Sequence, residues 1–269
     1  AGLLSDFSSC GLSADGELKP DLAAPGGAIY AAINDNDYAN MQGTSMASPH
    51  VAGAAVLVKQ YLLATYPTKS PQEIEALVKH LLMSTAKAHV NKETTAYTSP
   101  RQQGAGIIDT AAAISTGLYL TGEDGYGSIT LGNVEDTFSF TVTLHNITNE
   151  DKTLNYSTQL TTDTAQNGLI TLAPRLLAEI PGGKVTVKAN SSTTVTINVD
   201  ASSFAEELTG LMKNGYYLEG FVRFTDVADD GDIVSIPYVG FRGEFQNLAV
   251  LEEPIYNLIA DGKGGFYFE

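Results

Sequence analysis

The chain has 269 residues, enough for one large domain or two smaller ones, and its 43% hydrophobic and 17% charged residues favour a packed core over wholesale disorder. Lys and Arg total 15 against 31 Asp and Glu, a formal net charge of -16, which disfavours nucleic acid and anionic lipid as partners. No apolar run approaches the ~18–20 residues of a membrane span, so no membrane insertion is expected, and the single cysteine, Cys10, excludes an internal disulfide or a Cys-based zinc cluster.

Taken in chain order, Ala1-Gly2-Leu3-Leu4 has neither an initiator methionine nor targeting character. The other end, Gly264-Gly265-Phe266-Tyr267-Phe268-Glu269, reads like the middle of a strand, so the chain is expected to be a segment of a longer polypeptide. Cys10 is expected to be a small buried apolar residue. Asn34-Asp35-Asn36-Asp37 has turn chemistry. Then comes Gly43-Thr44-Ser45-Met46-Ala47-Ser48-Pro49-His50-Val51-Ala52-Gly53. Gly43 permits a tight turn, and Pro49 is expected in the first helical turn, where its absent N–H costs little. From His50 to Leu63 the residues are apolar nearly all round, which predicts a helix buried in the middle of a domain.

Ser45 therefore stands where a coil enters a helix, and two readings fit it. It is a helix N-cap, or it is a nucleophile beside unpaired N–H groups and a helix dipole that hold an oxyanion.

A second helix opens with Ser70 as N-cap, Pro71 at the first helical position and Glu73 completing a capping box. Ile74, Leu77, Val78, Leu81 and Leu82 then keep the helical period. A third helix is predicted from Asp109 as N-cap to a stop at Gly117. Gly104-x-Gly106 lacks the third glycine of a dinucleotide loop.

From Tyr119 the period changes to two. Phe138, Phe140, Val142 and Leu144 alternate with Thr137, Ser139, Thr141 and Thr143. Asn146 to Asp151 turns the chain, and Leu154, Tyr156 and Leu160 lie on a returning strand. Val195, Ile197 and Val199 mark another, and Leu218, Gly220, Val222 and Phe224 mark a third with Val234, Ile236 and Tyr238 as its partner. Asp226, Asp229, Asp230 and Asp232 surround an Asp230-Gly231 hairpin turn rather than a calcium site. Short Thr- and Val-rich strands at this spacing predict an antiparallel sandwich. The expected divisions are 1–117, 118–245 and 246–269, the last being the start of a truncated domain or a linker.

The Gly43–Gly53 stretch resembles the serine motif of the subtilisin-like peptidases, Gly-Thr-Ser-Met-Ala followed by Pro-His-Val-Ala-Gly. Its flanks agree. Phe7-Ser8-Ser9-Cys10-Gly11 and Lys19-Pro20-Asp21-Leu22-Ala23-Ala24-Pro25-Gly26 resemble family segments before the serine. Gly104-Ala105-Gly106-Ile107-Ile108-Asp109-Thr110-Ala111 resembles the ending of the catalytic domain. Ser99-Pro100-Arg101-Gln102-Gln103-Gly104 and the 214–224 segment narrow the resemblance to the streptococcal cell-envelope proteinases. That group includes C5a peptidases and chemokine-cleaving proteinases, the latter nearest in wording. Cys10 stands where that group suggests Trp.

The resemblance implies an α/β fold: the C-terminal part of a subtilisin-like catalytic domain, followed by an all-β fibronectin-III-like antiparallel sandwich. It implies a serine endopeptidase that cleaves extracellular host proteins and is secreted or cell-wall associated. Ser45 is then the nucleophile, with its backbone N–H to the oxyanion. The family's triad runs Asp, His, Ser along the chain, and no Asp-Thr/Ser-Gly or His-Gly-Thr motif precedes Ser45.

Among the four histidines, His50 lies ~140° around the helix from Ser45. It resembles the motif's structural histidine. His80 is expected on the polar side of the second helix, His89 in a loop and His145 at a strand end. None is expected to be the base, so an N-terminal segment carrying Asp and His is the expected partner, beside a protein or peptide substrate. No cofactor or metal site is evident. Asn146, Asn155 and Asn190 open glycosylation triplets that are expected to stand idle in a bacterial protein. A rival from another class is a non-catalytic cell-surface adhesion or binding module.

Overall fold

The computed structural model describes residues 4–166, 169–227, 232–247 and 255–260. The polar run after residue 33 makes a tight connection: Asp35 and Asn36 take φ of 63° and 54°, the left-handed region these residue types tolerate. It joins strands β1 (Ile29–Ile33) and β2 (Asp37–Met41) into an antiparallel ribbon. The ribbon stands free of the core, with Tyr30 and Tyr38 stacked on its exposed surface.

Helix α1 (Thr44–Thr65) comes next. Only one stripe of it is buried, Ala54, Val58 and Leu62, at the i, i+4, i+8 spacing of a single helix face. Val56 and Leu57 remain 66% and 56% exposed. All-round burial is thus corrected: the main packing partners of α1 among the described residues are α2 and α4, which cover the Ala54–Val58–Leu62 stripe. The helix also begins six residues before His50, so Pro49 falls in the second turn. There it cannot donate to the Ser45 carbonyl.

Helix α2 (Pro71–Ser84) has the anticipated capping box: Ser70 Oγ accepts from the Glu73 N–H at 3.3 Å, and Glu73 Oε2 accepts from the Ser70 N–H at 2.8 Å. Ser70→Ala is expected to cost about 1 kcal/mol, read as a lower urea midpoint. Ile74, Leu77, Leu81 and Leu82 close the helical core against α1. Two short helices come after it, α3 (Pro100–Gln103) and α4 (Thr110–Ser115), the second capped by Asp109, which accepts from the Ala112 N–H at 2.9 Å. Gly117 takes φ 61°, and a Cβ there would lie 2.4 Å from Thr148 Cγ2, so glycine is required at this bend.

The β half builds two sheets. One orders β3 (Leu118–Thr121), β5 (Thr137–Asn146) and β8 (Ser191–Asp200). The other orders β4 (Ile129–Asn133), β10 (Asp232–Arg242), β9 (Tyr216–Asp226), β6 (Lys152–Gln166) and β7 (Leu169–Val187). The alternating apolar residues meet between them: Val142, Leu144 and Ile197 from one side, Val222, Phe224, Ile236 and Tyr238 from the other. Helix α5 (Ala205–Leu211) plugs one end with Leu208. A short helix α6 (Ile255–Ala260) lies beyond.

Four expectations need correction. The 152–166 strand does not pair with β5; the 146–151 turn carries it into the opposite sheet. The pairing is not wholly antiparallel, since β4 runs parallel to β10. Strand β7 was not foreseen, because Pro174, Pro181 and the Gly182-Gly183 pair break the alternation; three register shifts along its pairing with β6 accommodate them. Cys10 is exposed, not buried, because its segment runs over the surface of the described residues. Asp229, Asp230 and Gly231, the tip of the anticipated hairpin, lie outside the described residues, as do 1–3 and 264–269.

The helical half packs on the β half. Leu120 N–H donates to Ser84 Oγ at 2.9 Å, and Tyr66 Oη donates to the Ile147 carbonyl at 3.2 Å. His80 is not on a solvated face: it stacks on Tyr119, which stacks in turn on His145. Helix α2 meets strand β3 there and encloses that side of the imidazole. Burial pushes both imidazoles below the usual histidine range, helped by Lys79 at His80 and by His80 at His145. A buried neutral imidazole takes its proton more readily when unfolded, so this stability is present above pH ~6.5 and is lost as pH falls through the lowered folded-state values. The urea midpoint is expected to fall between pH 7.5 and pH 5, and to fall less in His80→Phe.

Candidate active site

The site is built from the backbone outward. Gly43 takes φ 142°, a conformation L side chains rarely adopt, and this turns the chain from β2 into α1. Its N–H donates to the Gly26 carbonyl at 2.9 Å. Gly26 is pressed close in return: a Cβ there would stand 2.7 Å from the Gly43 oxygen and 3.2 Å from Ala47 Cβ. The segment leading to Gly26 is held by the 104–108 chain. Ala105 N–H donates to the Asp21 carbonyl, Ala23 N–H to the Gly106 carbonyl and Ile108 N–H to the Ala23 carbonyl, all at 2.8–2.9 Å.

Ser45 is the second residue of α1 and is exposed. The N-cap is Gly43, with no side-chain cap bond. The reading of Ser45 as a cap is therefore replaced: its hydroxyl makes no hydrogen bond among the described residues. The first intrahelical bonds run from Met46 and Ala47 N–H to the Gly43 carbonyl, at 3.0 and 3.4 Å. The Ser45 N–H is left unpaired in the described structure at the positive end of a 22-residue helix. A hydroxyl and an N–H on one residue, both open, can serve attack on a carbonyl carbon and binding of the resulting oxyanion.

The four histidines are engaged elsewhere. His50 Nδ1 lies 2.8 Å from the Met46 carbonyl one turn back on its own helix. His89 Nδ1 lies 2.8 Å from Thr98 Oγ1. His145 is held between Thr121 Oγ1 and Ser192 Oγ, and His80 is in the aromatic stack. Two polar clefts, of about 230 and 250 Å³, open at the junction of the helical and β halves, and Ser45 lines neither. No group of three or more His, Cys, Asp or Glu placed to hold a metal occurs among the described residues.

One cluster escaped the sequence reading. Arg101 Nε and Nη2 donate to Glu219 at 2.8 and 3.0 Å, and Nη2 donates to Asp163 at 2.8 and 2.9 Å. The guanidinium also lies 4.0 Å from the Tyr217 ring centroid. All three charges are buried, and two carboxylates share one cation. Burial and the charge of Glu219 hold the Asp163 carboxyl above the usual carboxylate range, despite Arg101. The available hint was Glu219 itself, a carboxylate inside the apolar run Leu218–Phe224.

Comparison with known proteins adds to this geometry. Residues 1–106 match the model of the Subtilase family, and residues 129–239 match that of the Fn3-like domain. A C5a peptidase of Streptococcus pyogenes serotype M6 is 46% identical over 269 residues, covering 99% of this chain and 22% of that protein. A C5a peptidase of serotype M1 gives the same identity and coverage. A PI-type proteinase of Lactococcus lactis subsp. cremoris is 32% identical over 268 residues, 93% of this chain and 14% of that protein. The chain thus spans 22% of the length of the C5a peptidases it matches.

Proposed function

We propose, for a chain whose first 106 residues belong to the subtilase family and whose residues 129–239 form an Fn3-like domain, that Ser45 is the nucleophile of a serine endopeptidase. Ser45 Oγ attacks the scissile carbonyl carbon, and the Ser45 N–H donates to the oxygen that becomes negative. The hydroxyl proton passes to an imidazole carried by a segment outside this chain, oriented there by an aspartate. That imidazolium protonates the leaving amine, and water then hydrolyses the acyl-enzyme. No step calls for a cofactor.

The proposed divisions are a protease part at 1–117, a sandwich at 118–245 and a further segment from 246. The whole protein acts outside the cell, secreted or held at the cell wall. Its substrates are extracellular host proteins of the class named by its relatives, complement peptides, or chemokines. The observation that carries the reading is the exposed Ser45 hydroxyl beside its own unpaired N–H at the head of α1. The test is to treat the full-length protein with a fluorophosphonate and map the adduct by peptide mass. The adduct is expected on Ser45; cleavage of protein substrate with Ser45 unlabelled sinks the reading.

A second reading, a non-catalytic surface-binding module, is favoured by one feature. The β6–β7 ribbon carries Leu169 and Ile170 at 70% and 56% exposed near its tip, an apolar surface on the sandwich itself. Host-protein binding that survives Ser45→Ala and is lost on Leu169→Ser with Ile170→Ser supports it.

A further inference from the structure

We infer that Arg101 is a positioning residue for Ser45, through which the carboxylates of the β-sandwich hold the 20–26 segment that carries the serine loop. The inference rests on the reading of Ser45 as nucleophile. It starts from a departure in the strand pattern. In β6 and β9 both faces are buried: not only Leu160, Val222 and Phe224 toward the sandwich core, but also Gln159, Asp163, Glu219 and Phe221 on the opposite face. That second face is covered by residues 97–101. Tyr97 N–H donates to Gln159 Oε1 at 2.9 Å, the Tyr97 ring meets Phe221 edge-on, and Arg101 reaches Glu219 and Asp163.

Arg101 is 5% exposed, Glu219 1% and Asp163 6%. Taking three charges out of water is costly, and apolar side chains of similar volume often stabilise a protein as well or better. Stability alone is therefore a weak reason for this cluster. Its distinguishing property is directional: a planar guanidinium bonded to Glu219 through Nε and Nη2 and to Asp163 through Nη2, with a ring 4.0 Å away, fixes the angle of α3 in a way a greasy contact does not.

The angle of α3 matters because this helix and the residues after it grip the segment under the serine loop. The Arg101 carbonyl accepts from the Gly11 N–H at 2.8 Å. Three residues on, Gly104 lies so close to the 20–21 backbone that a Cβ would fall 2.2 Å from the Pro20 oxygen. Ala105, Gly106 and Ile108 then make the three backbone bonds to Asp21 and Ala23, and Gly26 carries Gly43. From Arg101 to the serine loop the contacts are backbone hydrogen bonds or backbone approaches without room for a methyl group, joined between Ala23 and Gly26 by the short covalent run Ala24-Pro25. Such links transmit a displacement rather than absorb it.

The experiment compares variants of the full-length protein by the second-order rate of fluorophosphonate labelling at Ser45, well below each variant's Tm. A small reagent reports the geometry of the nucleophile without needing remote substrate contacts. Arg101→Met is expected to slow labelling by about tenfold or more, as misplacement of a reacting group does. Arg101→Lys keeps the charge but loses the fork, and is expected to fall between. It stands in if Arg101→Met does not fold. The control is Val142→Ala, a fully buried change in the other sheet, which lowers Tm without touching the chain of contacts and is expected to label at the wild-type rate. Should the Arg101 variants label like wild type, or no more slowly than Val142→Ala, the inference is overturned. A wild-type protein not labelled at Ser45 fails the functional reading instead, so the two failures are told apart.

Discussion

Ser45→Ala in the full-length protein is expected to lower peptide-bond hydrolysis by roughly 10⁴-fold or more while leaving Tm unchanged within experimental error. The two halves of that expectation have separate causes. Activity falls because the attacking oxygen is gone. What remains is the open N–H at the start of α1, which still polarises a bound carbonyl but has no nucleophile to offer it. Stability holds because the hydroxyl is exposed and bonds to nothing among the described residues, while Gly43 takes the N-cap position. Alanine is also a better helix former than serine. A cap serine would behave in the opposite way: its loss costs about 1 kcal/mol and does not touch turnover. Measuring kcat/KM and the thermal midpoint on one preparation therefore separates the two readings of this residue. A variant with full activity, or one that loses Tm in step with activity, rules out the nucleophile.

How much of this was legible beforehand depends on whether the deciding residues are neighbours in sequence. The α2 capping box, the Asp109 cap and the alternation in β5 are local rules, and the structure keeps them. So is the left-handed pair at Asp35 and Asn36. The serine motif was readable as a string, but its cap was not, because Gly43 and Ser45 compete for the same role two residues apart and only the dihedral angles decide.

The errors are non-local. An apolar circumference on α1 states that every face is to be covered, not that the covering residues are in this chain; Val56, Leu57 and Leu63 stay exposed here. The period-two pattern in β9 assigns Glu219 to a wet face, and it holds for any sheet with one solvated side. That face is dry because α3 lies on it, a fact fixed by residues more than a hundred positions away. Glycine and proline in 169–187 hid β7 for a simpler reason: they weaken strand propensity locally, while a long register with β6 makes the strand anyway.

Gly26→Ala is expected to cost the full-length protein roughly 10²-fold in kcat, with much less change in KM for a short peptide substrate. The added methyl would sit 2.7 Å from the Gly43 oxygen, well inside contact distance, and 3.2 Å from Ala47 Cβ. Neither obstacle is the flexible end of a side chain. One is backbone at a residue whose φ of 142° only glycine adopts readily, and the other lies in the first turn of α1. Relief therefore requires the start of α1 to move away from the 23–26 segment by a sizeable fraction of an ångström. It carries both the Ser45 hydroxyl and the Ser45 N–H with it. A rigid shift of that kind leaves the chemical groups intact but spoils their alignment to a carbonyl carbon and its oxygen, and so acts on the transition state more than on substrate binding. The hydrogen bond from Gly43 N–H to the Gly26 carbonyl should survive, since alanine keeps that carbonyl, and the fold should lose only modest stability. If kcat is unchanged, the serine loop tolerates the displacement, and the close approach of Gly26 is packing alone. A rise in KM with constant kcat would instead place the 23–26 segment in substrate binding rather than in holding the nucleophile.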